Sequence, residues 1–500
     1  MNKKKLSKAE KLAKKKRERI LRIAGFACAG IQLIASVVFI ILLNFLDILP
    51  SEFKVLIDIL LVLFCMVTAI TQRWVIPGAV TKVLSVFMSI VLVAGSIYVH
   101  ITNKTIDKIS GSYTKVSTMG VYVMKDNPVN SIVDLEDACY GIISTLERED
   151  TDSTIDKVEE VLASEIVYSE YESILTLADA LISDEVQAII INSNYLTMLD
   201  DMEGYEGFEE QIKCVMSHSI EKVIVEEDNT DENLVSSDNC FSIYISGIDS
   251  VGPPNVNSNS DVNIICTVNV KTHDVILIST PRDFFVPLSI SNGVNDKLTH
   301  AGAYGVDVSM DTLEMLYGIN IDYYLKVNFT GFVDIINALG GVDVYSEYDF
   351  VAYHGGYHYN VGINHLNGLE ALGFARERYS FAQGDRQRGR NQMEVIKALI
   401  NKMTSKEMIT NYNGVMSAVG NSMVTNIPQE EISKLVKTQI DEMPAWNIMT
   451  YSVNGTGSSE FTYSMPNRSV YVMVPDQTTV DKAREYLKLL HEDKPVIIEE

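Results

Sequence analysis

Five arginines fall within fifteen residues of one another, and this cluster is the first feature of the sequence that suggests chemistry. They are Arg376, Arg378, Arg386, Arg388 and Arg390. From residue 104 onward the chain contains only nine arginines in total. Because a guanidinium group binds phosphate or carboxylate through two parallel hydrogen bonds, the cluster indicates recognition of such an anion rather than bulk positive charge.

The spacing of these arginines suggests how they meet. If the segment FARERYS (374–380) is extended, Arg376 and Arg378 point from the same face. A turn at Gly384-Asp385 then folds the second group back beside the first. Gln392 lies one helical turn after Arg388. The competing interpretation is a solvated, ion-paired surface strand.

Acidic side chains and one more arginine stand at the ends of three predicted strands, Phe241 to Ser246, Val262 to Val270 and Val275 to Thr280. They are Asp249, Asp261, Arg282 and Asp283. Strand ends are where α/β folds commonly build sites. Carboxylates and arginines on one rim are suited to holding Mg²⁺ against a pyrophosphate during phosphoryl transfer. Neither Ser246 nor Ser279 has a His or Asp at a known triad spacing, so we do not predict a serine nucleophile.

The elements that position these residues follow a long N-terminal membrane segment. Three apolar stretches, Ile23 to Leu46, Val55 to Ile70 and Val83 to Ile101, predict three spans, of which the middle one contains Asp58. Three successive spans do not fit a cleavable signal peptide. The predicted organisation is a basic cytoplasmic tail (1–22), three transmembrane helices (23–103), an extracellular accessory domain with linker (104–236), a catalytic domain (237–490) and a C-terminal tail (491–500).

The charge distribution predicts the orientation and excludes one class of partner. The formal net charge is −25, so binding of nucleic acid through counterion release is not expected. Residues 1–22 contain eleven Lys or Arg and two acids, a local net of +9, which places the N-terminus in the cytoplasm of a bacterial cell. The large C-terminal region is then extracellular.

Outside the membrane the sequence predicts two folded parts. Alternating short strands and helices before residue 236 indicate a small α/β domain with a spacer or docking role, and the polar segment 226–239 indicates a linker. After it, we expect an α/β (α+β) fold with a mixed central sheet flanked by helices.

Four cysteines lie in these extracellular parts, namely Cys139, Cys214, Cys240 and Cys266. We interpret them as buried small hydrophobes, since their spacing suits neither zinc nor a CxxC redox site. The sequence does not decide whether Cys240 and Cys266 form a disulfide.

An ordered series of motifs between Phe241 and Met403 resembles the catalytic domain of the LytR-CpsA-Psr family. The matching pieces are ISGIDS, SDVNIICTVNV, LISTPRDFFVPL, NDKLTHAGAYG, LYGINIDYYLKVNFTGF, ALGGVDV, LNGLEALGFARERYS and GDRQRGRNQ. The three predicted spans and the accessory domain are similar to capsule-type members of the family.

The resemblance implies a phosphotransferase that moves a glycopolymer, such as capsular polysaccharide, from an undecaprenyl-pyrophosphate carrier to peptidoglycan in cell-wall biogenesis. It implies Mg²⁺ as cofactor, with Mn²⁺ as an alternative, and an apolar pocket between sheet and helices for the polyprenyl chain. The implied partners are the lipid-linked glycan, the peptidoglycan acceptor, the membrane and capsule-synthesis proteins. A pyrophosphatase-like side reaction is also implied, because water can replace the acceptor.

The resemblance also assigns roles to residues. It implies catalysis by Arg282, Asp283, Arg376 and Arg378. It implies pyrophosphate binding by Arg282, Lys297, Arg376, Arg378, Arg388 and Gln392. Asp249 and Asp261 match the metal ligands, and Asp385 and Arg390 have supporting positions.

One position departs from the family pattern. Many members carry Arg two residues before the second metal-binding Asp, where this chain has Asn259. The departure keeps open a second hypothesis, a polyprenyl-phosphate-binding regulatory protein of capsule synthesis with little turnover. A transcriptional role conflicts with the predicted topology, since only about 22 residues would face the cytoplasm.

Overall fold

A computed structural model of the chain describes residues 8–46, 49, 51–109, 114–144, 146–200, 204–205, 207–223, 239–248, 257–405 and 408–498. Asp249 and most of the predicted linker lie outside the described residues. The chain forms two compact units, one comprising Met1–Lys108 with Pro428–Pro444, the other Ile109–Ile427 with Ala445–Glu500.

The first unit is built on three long apolar helices. They are α1 (Lys8–Leu46), α2 (Ser51–Thr71) and α3 (Val75–Ile109). Each helix is long and apolar enough to cross a membrane, over Lys15–Phe45, Ser51–Thr71 and Val75–Ile106. Ala35, Leu61 and Leu92, one from each helix, are buried together, while most other large apolar side chains face outward. An outward apolar surface on bundled helices is typical of contact with lipid, so these helices form a membrane anchor.

The same unit contains a helix from far along the sequence, α14 (Gln429–Glu442). Its Ile432 packs against a cluster formed by Leu43 of α1 with Val99 and Ile106 of α3. The chain leaves the second unit before α14 and returns to it afterwards. The first unit therefore contains one segment from the C-terminal half of the chain as well as the three N-terminal helices.

The second unit begins with a five-stranded sheet, here called the N-terminal sheet. Its elements are β1 (Thr114–Met124), β2 (Cys139–Ile143), α4 (Arg148–Leu162), β3 (Val167–Tyr171), α5 (Ile174–Ile182), β4 (Ala188–Asn192), α6 (Ser193–Asp200), α7 (Phe208–Gln211) and β5 (Ile212–Val223), with a 3-10 turn at Ile132–Leu135. The strand order is β3-β2-β4-β1-β5. All five residues of β4 are buried, as expected for a strand covered on both faces.

A six-stranded mixed sheet, the central sheet, follows. Its strands are β6 (Cys240–Ile248), β7 (Ser260–Asn269), β8 (Asp274–Ser279), β11 (Tyr323–Asn328), β16 (Met423–Thr425) and β17 (Asn447–Ser452), in the order β16-β11-β6-β7-β8-β17. β6 pairs in parallel with β11, and β8 pairs in parallel with β17. The predicted α/β class with a mixed sheet and flanking helices is confirmed.

Helices cover the central sheet. They are α8 (Leu298–Tyr304), α9 (Val306–Tyr317), α10 (Phe329–Ala338), α11 (Gly368–Arg376), α12 (Asp385–Met403), α13 (Met408–Ser422) and α15 (Gln477–His491). Small two-stranded sheets are formed by β9 (Phe285–Pro287) with β10 (Asn295–Lys297), β12 (Val342–Ser346) with β15 (Gly362–Leu366), β13 (Phe350–Val351) with β14 (His358–Tyr359), and β18 (Gly455–Phe461) with β19 (Ser469–Pro475).

The N-terminal sheet and the central sheet share a hydrophobic core. Tyr195 and Leu196 of α6 belong to the same buried cluster as Ala301 and Tyr304 of α8. The rings of Tyr195 and Tyr304 lie 5.8 Å apart. The small α/β domain therefore packs directly against a helix that begins beside the candidate site described below.

The cysteines are all free thiols, and two of the expectations about them need correction. Cys240 and Cys266 are buried, as predicted, but Cys214 is exposed and Cys139 is half-buried. Cys266 lies opposite Ile243 in the β6–β7 ladder, three residues from Cys240. Successive side chains of a strand alternate between its two faces, so Cys240 and Cys266 point to opposite faces and cannot form a disulfide.

Candidate active site

The antiparallel pairing of β7 with β8 brings Asp261 to Arg282. β7 begins next to the end of β8, and the backbone N–H of Thr280 donates to the carbonyl of Asn263 at 2.9 Å. Asp261 is the second residue of β7, and Arg282 follows β8. The Nη1 atom of Arg282 donates to Oδ1 of Asp261 at 2.6 Å, with both side chains largely shielded from solvent.

A chain of charges continues from this pair. Oδ1 of Asp283 lies 4.0 Å from Nε of Arg282 and 3.3 Å from Nζ of Lys297. Lys297 is the last residue of β10 and directly precedes α8. The charges of Arg282, Asp283 and Lys297, which the sequence assigns to the site, thus alternate in sign along one edge of the central sheet.

Helix α12 brings a second group of charges to the same place. It begins after Gly384, whose positive φ of 52° favours glycine, so the predicted turn at Gly384-Asp385 is confirmed. Oδ1 of Asp385 lies 2.5 Å from Nη2 of Arg388, and both side chains are mostly buried. A Cβ atom on Gly389 would lie 2.6 Å from Oγ of Ser279, so the glycine allows α12 to approach the end of β8 closely.

These two groups line one cleft, which we call the cationic cleft. Its lining residues are Asp261, Ser279, Thr280, Pro281, Arg282, Asp385, Arg386, Arg388, Gly389, Gln392, Ser452 and Val453. Burial raises the pKa of the Asp385 carboxyl, Arg388 lowers it, and the neighbouring carboxylates of Asp283 and Asp261 raise it further. The resulting pKa lies above the usual value for Asp, mainly because the carboxyl is buried.

The remaining arginines of the cluster are dispersed. The expectation that FARERYS is extended is wrong for its first part, because Arg376 is the last residue of α11. The guanidinium carbon of Arg376 lies 4.4 Å from the centre of the Phe329 ring. Arg390 donates to the side chains of Gln387 and Gln383. Neither residue lines the cationic cleft.

Arg378 is exposed and is not among the residues that line the cleft. Its Nη2 atom donates to the hydroxyl of Tyr379 at 2.8 Å, which raises the pKa of Arg378, and the charges of Asp385 and Arg282 also act on it. Gln392 is inside the cleft and donates to the carbonyl of Ala375 at 3.4 Å.

Some residues of the site have no signal in the sequence. Asn454 accepts a hydrogen bond from Nη1 of Arg386 at 2.7 Å, and Ser452 lines the cleft. Tyr471 of β19 has a raised pKa, because of burial first and the charges of Asp283 and Asp385 next. All three are uncharged and lie far along the chain from the arginine cluster. Ser452 and Asn454 are brought there by the parallel pairing of β17 with β8, which places Ser452 opposite Ser279. Tyr471 is carried by β19, where the backbone N–H of Met473 donates to the carbonyl of Asp283 at 2.7 Å.

The cleft contains some of the oxygen ligands expected for a divalent cation. Carboxylate oxygens are the ligands that Mg²⁺ prefers, and Asp261 supplies them in the cleft beside Asp385. One oxygen of Asp261 is bound by Arg282, and the described residues contain no group of three His, Cys, Asp or Glu that could hold a metal ion. The second expected ligand, Asp249, lies outside the described residues.

An apolar surface lies on the face of the central sheet that α12 covers. Ile243 and Ile245 of β6 and Leu325 and Val327 of β11 are only partly buried, and the pairing of these strands places them side by side. The residues between them, such as Tyr244 and Tyr324 on the opposite face, are fully buried. The face of β6 and β11 on the α12 side of the sheet is therefore apolar and partly accessible to solvent. We call it the inner face of these strands.

Comparison with known proteins places this site in a family. The sequence profile of the LytR_cpsA_psr family matches residues 205–488, and the chain belongs to this family. Two similar relatives are both named polyisoprenyl-teichoic acid–peptidoglycan teichoic acid transferase TagU. TagU of Bacillus cereus is 36% identical over 209 residues, which are 42% of this chain and 67% of the relative. TagU of Bacillus mycoides is 32% identical over 259 residues, which are 51% of this chain and 81% of the relative.

Among solved structures, the crystal structure of Bacillus subtilis TagV is 31% identical in sequence. The similarity covers 52% of this chain and 99% of that chain, with a TM-score of 0.43.

Proposed function

We propose that the protein is a membrane-anchored phosphotransferase that moves a glycopolymer, with capsular polysaccharide as the polymer, from undecaprenyl pyrophosphate to peptidoglycan. The observation that carries this proposal is the cationic cleft, in which Arg282 pairs with Asp261 and Arg388 pairs with Asp385. The names of the relatives, which are transferases acting on a polyisoprenyl-linked polymer and peptidoglycan, support it.

The reaction follows from the charges of the cleft. A hydroxyl of the acceptor attacks the phosphorus that carries the glycan and loses its proton, the P–O–P bond breaks, and polyprenyl phosphate leaves. Negative charge grows on the bridging and leaving oxygens, and preorganised guanidinium groups stabilise it. Arg282, Arg388 and Arg378 are the groups that we expect to contact the pyrophosphate, while Asp283 and Lys297 hold Arg282 in place.

Mg²⁺ is part of the proposal. Asp261 and Asp249 would hold it, and the ion would neutralise pyrophosphate charge. For Asp261 to bind the ion, Arg282 must share or release its carboxylate, and Arg282 then becomes available to the substrate. Mn²⁺ has the same preference for oxygen ligands.

The lipid chain and the membrane orientation complete the proposal. The partly filled apolar face formed by Ile243, Ile245, Leu325 and Val327 is suited to a polyprenyl chain, since burying each methylene group contributes about 0.8 kcal/mol. The basic N-terminal tail supports a cytoplasmic N-terminus and an extracellular C-terminal region.

Asn259 favours a second candidate function, a lipid-binding regulatory protein with little turnover. Its side chain is 5% exposed, and within the described part of the chain neither amide atom has a hydrogen-bond partner. A neutral amide supplies no positive charge where many family members have Arg. The same lipid would then be bound without efficient transfer.

Release of polyprenyl phosphate separates the two functions. The full chain in detergent micelles is mixed with an undecaprenyl-pyrophosphate disaccharide, in Mg²⁺ or in EDTA, with or without peptidoglycan. We expect release in Mg²⁺ that is lost in EDTA and is faster with peptidoglycan. Tight lipid binding without release under any of these conditions would favour the regulatory protein instead.

A further inference from the structure

Two tyrosines expose their rings to solvent and pack against each other. Tyr353 is 73% exposed and Tyr379 is 62% exposed. Their ring centres lie 5.1 Å apart with an angle of 56° between the planes. Tyr353 follows β13, and Tyr379 lies between α11 and α12. We call this pair the tyrosine platform.

The backbone beneath the tyrosine platform is fixed by a buried acid. Glu377 is 1% exposed, and its carboxylate accepts the backbone N–H of Tyr353 at 2.5 Å and that of Ser380 at 2.8 Å. The hydroxyl of Ser380 donates to the carbonyl of Val351 at 2.9 Å. These bonds join the two segments that carry the tyrosines.

Aromatic packing adds to this rigidity. The ring of Phe350 lies 4.7 Å from that of Phe381 and 5.7 Å from that of Phe374. Exposed aromatic side chains on a fixed backbone lose little conformational freedom when they bind a ligand, which is how rigid recognition surfaces gain affinity.

Arg378 connects the tyrosine platform to the cationic cleft. Its guanidinium carbon lies 4.8 Å from the centre of the Tyr379 ring, and its Nη2 atom donates to the Tyr379 hydroxyl. The charges of Arg282 and Asp385, which line the cleft, act on the same guanidinium. The backbone between Arg378 and the cleft residue Asp385 is a short, hydrogen-bonded turn, since the N–H of Phe381 donates to the carbonyl of Arg378 at 3.4 Å and the N–H of Gly384 to the carbonyl of Phe381 at 3.1 Å. The tyrosine platform is therefore joined directly to the segment that begins the cleft.

The side chains of the tyrosine platform indicate which class of ligand group it would bind. A sugar ring has an apolar C–H face that stacks on an aromatic ring, and its hydroxyls need hydrogen-bonding groups at the edge. The tyrosine platform offers two such rings, two phenolic hydroxyls and the guanidinium of Arg378. A polyprenyl chain would instead require a continuous aliphatic surface, which the inner face of β6 and β11 provides.

We propose that the tyrosine platform binds the sugar attached to the pyrophosphate of the donor substrate by stacking on Tyr353 and Tyr379. This inference rests on the proposed function. We assign the donor glycan because its first sugar is covalently joined to the phosphate that the cleft would hold, and because the short turn between Arg378 and Asp385 connects the cleft to the platform.

The test compares two donors without an acceptor, so that water takes up the phosphoryl group. The full chain in detergent with Mg²⁺ is given undecaprenyl pyrophosphate bearing a disaccharide, or undecaprenyl pyrophosphate alone. In Tyr353→Ala, we expect the ratio of kcat/KM for the glycan donor to that for the bare donor to fall about tenfold, mainly through KM, since a stacked ring contributes this much. Tyr353→Phe keeps the ring and should retain the ratio.

Tyr345→Ala is the matched control, because Tyr345 is also an exposed tyrosine, at 47%, but lies on β12. It should keep the parent's ratio, and thermal unfolding confirms that each variant folds. An unchanged ratio in Tyr353→Ala and in the double variant with Tyr379→Ala, with both donors turned over, would overturn the platform but leave the proposed function intact. In a second assay that adds peptidoglycan, a loss confined to transfer onto peptidoglycan would assign the platform to the acceptor and overturn the inference. Absence of polyprenyl phosphate release by the parent, both without and with peptidoglycan, would instead refute the proposed function.

Discussion

Replacing Arg282 with alanine is expected to lower the rate of polyprenyl phosphate release by about 100-fold to 1,000-fold, the range observed when one preorganised donor is removed from an anionic transition state. Arg282 occupies the centre of the site. Its guanidinium contacts Asp261 at 2.6 Å, lies 4.0 Å from Asp283, and lines the cleft that also contains Arg388. The measurement is kcat/KM for the glycan donor in Mg²⁺.

Two further variants separate chemistry from folding in this test. Arg282→Lys keeps the charge but not the two-pronged geometry, so we expect it to recover only a small part of the rate. Arg484→Ala removes an arginine that pairs with Asp481 on the surface of α15, and it should retain the parent's rate. Near-parental turnover by a folded Arg282→Ala protein would remove this residue from the mechanism.

Replacing Asp296 with alanine is expected to lower the free energy of unfolding by about 3–5 kcal/mol, because it leaves a buried partner uncompensated. The Asp296 side chain is fully buried. Its Oδ1 lies 2.7 Å from Nδ1 of His300 and accepts the backbone N–H of Lys297 at 2.7 Å. Its Oδ2 accepts both the backbone N–H, at 3.0 Å, and the hydroxyl of Ser464. The measurement is chemical unfolding at pH 7.

The chain contains a matched control for Asp296. His365 and Asp343 form the same Nδ1–Oδ1 pair at 2.7 Å, but both side chains are more than 60% exposed. Asp343→Ala should therefore change stability by less than about 1 kcal/mol. Equal losses in the two variants would contradict the assignment of the effect to burial.

The contribution of Asp296 also depends on pH. Burial alone would raise its pKa, but the charge of His300 and the hydrogen bonds from His300, Ser464 and Lys297 hold the pKa below the usual value for Asp. A lowered pKa gives stability that is fully present above the unfolded-state pKa of about 3.9 and is lost as the pH falls through the folded-state value. The difference between parent and Asp296→Ala should accordingly be constant near neutral pH and shrink in acid. Because Asp296 fixes the backbone of Lys297, we also expect slower turnover.

The central sheet could be predicted because its strands have local signals. In β6 buried and partly exposed residues alternate, β8 is an almost continuous apolar run, and β7 contains the apolar core Ile264–Cys266. Each predicted strand lies within about two residues of the observed one. The meeting of Asp261 with Arg282 followed from their positions at neighbouring strand ends. Both inferences need only the period of a strand and its direction in the sheet.

The arginine cluster was harder to predict, because its members are on different elements. Arg376 ends α11, Arg378 lies beyond that helix, and Arg388 is on α12. On a helix, residues two apart point in nearly opposite directions, and of these three arginines Arg386 and Arg388 line the cleft whereas Arg390 does not. Arg388 pairs with Asp385, whereas Arg390 bonds to glutamines outside the cleft. The evenly spaced arginines of the cluster therefore make different contacts, which their spacing in the sequence does not indicate.

Contacts between distant segments had no local signal at all. Asn454 reaches Arg386 through the parallel pairing of β17 with β8, some 170 residues apart in the chain. The packing of Tyr195 against Tyr304 joins two sheets that the sequence treats as separate domains. Such contacts depend on the tertiary fold, which a single sequence does not encode in any short pattern.

The central claim is that the cationic cleft transfers a phosphoryl-linked glycan and does not merely bind its lipid carrier. The most direct measurement uses the full chain in vesicles with a radiolabelled glycan on undecaprenyl pyrophosphate and with purified peptidoglycan, and it counts both products. We expect label bound covalently to peptidoglycan in equal amount to the polyprenyl phosphate released, with both products reduced together by Arg282→Ala. Retention of all label on the lipid, despite saturating binding, would contradict the claim.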